Sequence, residues 1–213
     1  MRNKLLIEAV GTFFLCLAAL VSSNALPVAA LLCALIYMGA PVSLAHYNPA
    51  VSLAFRLRGR SSTRALWSYI AVQLAAAVLA AMAAGTLLGH DSEHARGAID
   101  ALSESAFVGF GVSALVELLC TFALVFTILM VGTSRLTAGN SYYGLAIAVA
   151  VLGLSGTFGD FSPTMNPAVS LASSLLGLFS AIFDGLFGTK TFVTETLFLA
   201  KVAPRVLAEV AVQ

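Results

Sequence analysis

Five stretches of this sequence are apolar for long enough to cross a lipid bilayer, and this decides what kind of backbone it makes. A spanning helix needs about 20 mostly apolar residues to cover about 30 Å of hydrocarbon. Residues 5–23, 27–45, 65–89, 105–132 and 141–158 each meet that length. Peptide groups at that depth have no water to bond to and must pair within the segment, so the stretches read as helices and the chain as an all-α integral membrane protein. Composition agrees, because 60% of the 213 residues are hydrophobic and 10% charged, with a mean hydropathy of +0.97, far from soluble-domain usage. A cleaved secretory signal would give one such segment ahead of a polar chain, whereas here they recur throughout.

The few cations fall in alternate loops. Arg2 and Lys4 precede the first stretch, Arg56, Arg58, Arg60 and Arg64 follow the second, and Arg135 follows the fourth. The loop His90 to Glu104 carries one Arg against four acids. Cytoplasmic loops collect Lys and Arg, so the pattern predicts a multi-pass protein with a cytoplasmic N-terminus. The Arg cluster reads as topology and not as a nucleic-acid surface, and no nucleic-acid partner is expected. Cys16, Cys33 and Cys120 lie inside apolar stretches without CxxC spacing and read as packing residues, not as a disulfide framework or a zinc site.

The chain repeats itself. Ile-Glu-Ala-Val-Gly-Thr-Phe-Phe from Ile7 matches Val-Glu-Leu-Leu-Cys-Thr-Phe-Ala from Val116, which pairs Glu8 with Glu117 and Thr12 with Thr121. Downstream, Asn-Pro-Ala-Val-Ser-Leu-Ala occurs twice, at 48–54 and at 166–172. A weaker echo pairs Ala71-Val72-Gln73 with Ala211-Val212-Gln213. The halves are read as residues 1–104 and 105–213. With three segments each, an odd number, the second enters the bilayer from the opposite side, so the repeats are inverted.

Each heptapeptide follows a spanning stretch and is too short to cross, so it dips in and returns. Asn is a favoured helix N-cap and Pro a favoured first helical residue, so Asn48-Pro49-Ala50 and Asn166-Pro167-Ala168 each open a short half-helix. Inversion then brings two helix N-termini face to face near the midplane. Each carries roughly half a positive charge, a barrier to cations that neutral solutes do not feel. The Asn amides supply donors there. Backbone carbonyls of Ala45, His46 and Tyr47, and of Ser162, Pro163, Thr164 and Met165, supply acceptors on either side.

The paired Asn-Pro-Ala motifs, the Ala45-His46-Tyr47 lead-in and the Glu in the first and fourth stretches resemble the aquaporin and glycerol-facilitator family, from about residue 4 to about 172. The resemblance implies six spanning helices and two re-entrant half-helices, a homotetramer with one pore per protomer in a bacterial inner membrane, and passive flow of water or small neutral solutes. It also implies a second filter, which falls on Val28, Leu154, Pro163 and Val169. Here the chain departs from the family, which normally places an Arg where Val169 stands. An apolar filter points away from strict water selectivity, towards glycerol, urea or undissociated metalloid hydroxides. The alternative is a non-conducting or carrier-like protein of the same fold.

Other residues have simpler readings. Glu8 and Glu117 are expected to hold the re-entrant loops through backbone N–H groups, in preference to a proton relay. His46 is open between a pore-lining pH sensor and a packing residue. His90 and His94 read as a solvated turn, Trp67 and Tyr69 as an interfacial aromatic belt. Small residues from Ala75 to Gly85 favour close helix contact, within or between protomers. After Ala172 the spacing of Leu175, Leu176, Phe179, Ile182, Phe183 and Leu186 predicts that the second half-helix runs on as an amphipathic stretch. The sixth helix reads as truncated, displaced upstream or completed by something outside this chain. No nucleophile, acid–base pair, phosphate loop or metal-ligand cluster stands out, so neither an enzyme nor a cofactor is expected.

Overall fold

A computed structural model of the chain describes residues 1–88, 108–161 and 163–187. These form helices α1 (Arg2–Val21), α2 (Ala25–Ser43), α3 (Pro49–Leu57), α4 (Thr63–Leu88), α5 (Val108–Thr133), α6 (Tyr143–Phe158) and α7 (Pro167–Phe187), with no strand among the described residues. Five are long and apolar enough to span a membrane: α1, α2, α4, α5 from Gly111, and α6 with its short extension to Phe161. Exposed side chains such as Phe14, Leu79, Leu119 and Phe122 lie on these helices, as expected where the outer solvent is lipid.

The sequence explains the ends of the elements. Asn24 caps α2 by accepting from Leu26 N at 2.8 Å, and Pro27 sits in the first turn, where its missing N–H costs nothing. The chain leaves α2 through Leu44 and Ala45, both at positive φ (74° and 50°), and this sends it back into the protein. The turn after α3 is tied to the end of α5: Arg58 Nε donates to Thr133 Oγ1 and Arg60 Nη2 to the Thr133 carbonyl, both at 3.1 Å. These contacts define an arginine face. At the far face Leu20, Ala84 and Leu176 meet, joining the later turns of α1, α4 and α7.

Two apolar clusters hold the helices. Ala77, Ala80, Ala81 and Ala84 are fully buried against Cys16 and Leu20 of α1 and Ala168, Ala172 and Leu176 of α7. The small-residue run of α4 thus lets helices of one chain approach closely. The second cluster joins Leu15, Leu32, Leu35, Ile36, Val116, Cys120, Leu124 and Ile147 around Tyr47 and Met165. The buried cysteines act as small apolar groups.

A clasp between α2 and α6 sets how α6 is rotated. Tyr37 Oη donates to the Ser141 carbonyl at 2.8 Å and accepts from Leu145 N at 3.3 Å, while its ring packs on Tyr143. Gly144 makes room, since a Cβ there would stand 2.9 Å from the Tyr37 ring.

One expectation is corrected: Trp67 is exposed, as an interfacial residue should be, but Tyr69 is buried and donates from Oη to the Ser43 carbonyl at 2.9 Å. The half-helices are unequal, since α3 has 9 residues whereas α7 continues unbroken for 21, through the predicted extension. The readings of the His90–Glu104 loop, of Ala211–Gln213 and of the sixth helix lie outside the described residues.

Candidate functional site

The site is built where two re-entrant loops meet. In the first, Asn48 Oδ1 accepts from Ala50 N at 2.8 Å, and in the second, Asn166 Oδ1 accepts from Ala168 N at 3.0 Å. Pro49 and Pro167 are the first residues of α3 and α7. Each side chain thus satisfies one of the orphan N–H groups of its own helix. The other end of each amide crosses the repeat boundary. Asn48 Nδ2 donates to the Met165 carbonyl at 2.8 Å, and Asn166 Nδ2 donates to the Tyr47 carbonyl at 3.0 Å. An amide NH₂ has two hydrogens, so one is committed to the facing loop and one stays available. Half of the amide hydrogens expected as donors are thus already spent between the loops.

Both carboxylates meet backbone N–H groups of the re-entrant loops. Glu8 is fully buried and accepts from Ser43 Oγ (2.7 Å), His46 N (2.9 Å), Tyr47 N (2.8 Å) and Gln73 Nε2 (2.9 Å). Glu117 accepts from Thr164 N (2.8 Å), Met165 N (2.6 Å), Thr164 Oγ1 (3.2 Å) and, at 3.4 Å, Thr121 Oγ1. The two N–H groups taken up are in each loop the second and first before the Asn. Hydrogen bonds to a charged group contribute about 1.5–3 kcal/mol each, enough to offset the cost of the left-handed backbone at Tyr47 (φ 49°) and Met165 (φ 54°).

Tyr47 is a wedge that the sequence did not announce. Its ring is fully buried, its Oη donates to the Leu35 carbonyl at 2.9 Å, and it fills the space left by two glycines. A Cβ on Gly11 would overlap its ring carbons, and one on Gly39 would overlap its hydroxyl. His46 packs between Phe55 and Tyr69, with Nδ1 3.1 Å from Ser52 Oγ and Nε2 buried without a partner among the described residues.

A cavity of about 660 Å³ runs past the paired Asn residues. Asn48, Asn166, Ala45, His46, Pro163, Thr164 and Met165 all line it. Tyr47 does not, since it turns its side chain into the core, and Ser162 lies outside the described residues. Towards the arginine face the wall includes Ala40, Leu44, Phe55, Val131 and the loop Thr137–Asn140; towards the far face it includes Ser22, Ser23 and Asn24. Among the described residues no Asp, Glu, Lys or Arg lines it, and neither does any residue of α4.

Of the positions expected to form the second filter, Val28, Pro163 and Val169 line the cavity. Leu154 does not, and packs with Ala150 and Phe158 against the core cluster. From α6 the cavity instead receives Tyr143, Ile147, Val151 and Ser155. These are four residues apart, hence one stripe of a helix with 3.6 residues per turn. Leu154 stands about 100° around the helix from Ser155.

Comparison with known proteins accounts for this arrangement. The profile of the family described as Major intrinsic protein matches residues 2–188. The chain is 32% identical over 202 residues to Aquaporin NIP1-1 of Zea mays, covering 87% of this chain and 69% of that protein. It is 35% identical over 164 residues to Aquaglyceroporin AqpS of Rhizobium meliloti strain 1021, covering 76% of this chain and 64% of that one. Across curated relatives the chain spans between 48% and 69% of their length. In fold it is similar to the X-ray structure of the aquaglyceroporin from Plasmodium falciparum, with a TM-score of 0.65, 21% identity, and coverage of 100% of this chain and 94% of the other. The two re-entrant loops, their carboxylate supports and these similarities lead to one conclusion: the chain belongs to the major intrinsic protein family of membrane channels.

Proposed function

We propose that this protein is a passive channel for water and small uncharged solutes, without enzymatic chemistry. The observation that carries this reading is a cavity with no ionised side chain in its described wall, crossed at its middle by two opposed helix N-termini. A cation entering it loses water, finds no counter-charge and meets partial positive charge from both sides. A neutral solute finds the spare Asn hydrogens and the loop carbonyls. The Asn-Pro-Ala residues of both loops form the central constriction, and Val28, Pro163 and Val169, joined by Val151, form an apolar outer filter with the Ser155 hydroxyl beside it. With Val169 where the family normally has Arg, glycerol, urea or metalloid hydroxides fit the reading alongside water.

The repeats, 1–104 and 105–213, are proposed to insert with opposite orientation. The arginine face is assigned to the cytoplasm, with the N-terminus, because Arg58 and Arg60 gather there with the end of α5. A bacterial inner membrane and a homotetramer with one pore per protomer accord with the family. Purified protein in proteoliposomes tests the function: stopped-flow light scattering under water and glycerol gradients should accelerate over protein-free vesicles with a shallow temperature dependence. Saturable flux driven by a proton gradient would replace the channel reading with a carrier.

A further inference from the structure

Arg58 and Arg60 converge on one residue: Arg58 Nε donates to Thr133 Oγ1 and Arg60 Nη2 to the Thr133 carbonyl. The Thr133 hydroxyl hydrogen is itself committed to the Leu129 carbonyl at 2.6 Å, so its oxygen meets Arg58 as an acceptor only. The end of α5, where the helix dipole favours a cation, thus accounts for one N–H of each guanidinium. Each guanidinium has five, which leaves four on either side chain. Two like charges held at one residue repel, and Arg135, two positions along, adds a third. No acid answers them among the described residues: Glu8 and Glu117 are spent on the re-entrant loops, Asp160 closes the far end of α6, and Asp184 lies late on α7.

Both arginines are exposed, and neither lines the cavity. Thr133 ends a spanning helix, so they stand where lipid gives way to water. Beside them in the chain Leu57 is 73% exposed and Leu136 92%, and the exposed Trp67 lies one turn into α4, which suits a headgroup layer better than open water.

We propose that Arg58 and Arg60 clamp the phosphate of an anionic phospholipid headgroup, with Leu57 and Leu136 against its glycerol and acyl carbons. Guanidinium forks match phosphate oxygens with parallel N–H groups, and the uncompensated charge favours a net-negative lipid over a zwitterionic one. The two leucines and the position at the end of α5 favour a lipid over free phosphate. A headgroup held there bridges the turn after α3 to the end of α5, and so the first repeat to the second. The site depends on insertion in a membrane and not on conduction.

Purified protein in detergent, followed by native mass spectrometry with phosphatidylglycerol or phosphatidylcholine, tests the clamp. The wild type should retain phosphatidylglycerol in preference, and Arg58→Gln/Arg60→Gln should weaken that lipid roughly tenfold while leaving phosphatidylcholine unchanged. No preference in the wild type overturns the proposal. Arg2→Gln/Arg64→Gln removes the same charge from the same face and should keep the preference; an equal loss there would reduce the site to a general basic belt and overturn it. In thermal unfolding, phosphatidylglycerol should raise the wild-type midpoint more than phosphatidylcholine or inorganic phosphate does, and a phosphate effect as large as the lipid's overturns the lipid assignment. If the glutamine pair does not fold, Arg58→Lys/Arg60→Lys keeps both charges without the forks and should lose part of the preference. An undiminished preference in the lysine pair overturns the clamp.

Discussion

Asn48 and Asn166 hold each other's loops: the first donates to the carbonyl just before the second at 2.8 Å, and the second to the carbonyl just before the first at 3.0 Å. The two bonds thereby join the re-entrant loops, which do more than touch. In Asn48→Asp the carboxylate still caps Ala50 N but faces the Met165 carbonyl as a second acceptor. We expect a loss of about 1–3 kcal/mol, read as a lower unfolding temperature in detergent, together with a faster cation leak in vesicles. A variant as stable and as tight as the wild type would show that the cross-bond does not hold the joint.

The supports make a second prediction. Glu8 meets four donors, two on each oxygen, so Glu8→Gln must turn an NH₂ group against at least one N–H or O–H donor whichever way it lies. Among the described residues Glu117 has only Thr164 N on one oxygen. Both substitutions should destabilise, each by about 1–3 kcal/mol per confronted donor, with Glu8→Gln the worse. Thermal unfolding of the two variants side by side checks the order, and equal effects would contradict it.

The Tyr47 wedge predicts a suppressor. Gly11→Ala places a methyl group in the Tyr47 ring, an overpacking that typically costs about 1–3 kcal/mol and here falls beside the fully buried Glu8 support. Yield of folded protein from membranes should drop for Gly11→Ala and recover when Tyr47→Leu is added. Failure of the second change to recover any yield would place the clash elsewhere.

Val169→Arg puts a fixed charge into a wall that has none among its described residues. Glycerol permeability should fall by roughly tenfold or more, while water permeability persists, because the guanidinium narrows the lumen and offers donors suited to water. Glycerol flux that survives unchanged would remove Val169 from the narrowest part.

Much of this was legible in the sequence, for local reasons. Asn followed by Pro is a helix start wherever it occurs, so α3 and α7 were readable from 48 and 166 alone, and an acid inside an apolar span needs donors, which pointed Glu8 and Glu117 at the loops. What escaped depended on distant partners. Tyr69 near Arg64 looks interfacial until Ser43, 26 residues earlier, is seen to accept its hydroxyl. Spacing from Asn166 across a loop points to Leu154, but the rotation of α6 is set by Tyr37 on another helix, which brings Ser155 inward. Tyr47 gave no signal of its own, because its pocket is made by the missing side chains of Gly11 and Gly39.

No residue of α4 reaches the cavity, although α4 packs along α1 and α7 and its Gln73 completes the set of donors around Glu8. α4 is thus frame without lining, whereas Leu32, Ile36, Ile147 and Met165 both line the cavity and belong to the core cluster. Repairs to α4 can harden the frame without touching the cavity wall, while changes at those four positions touch both.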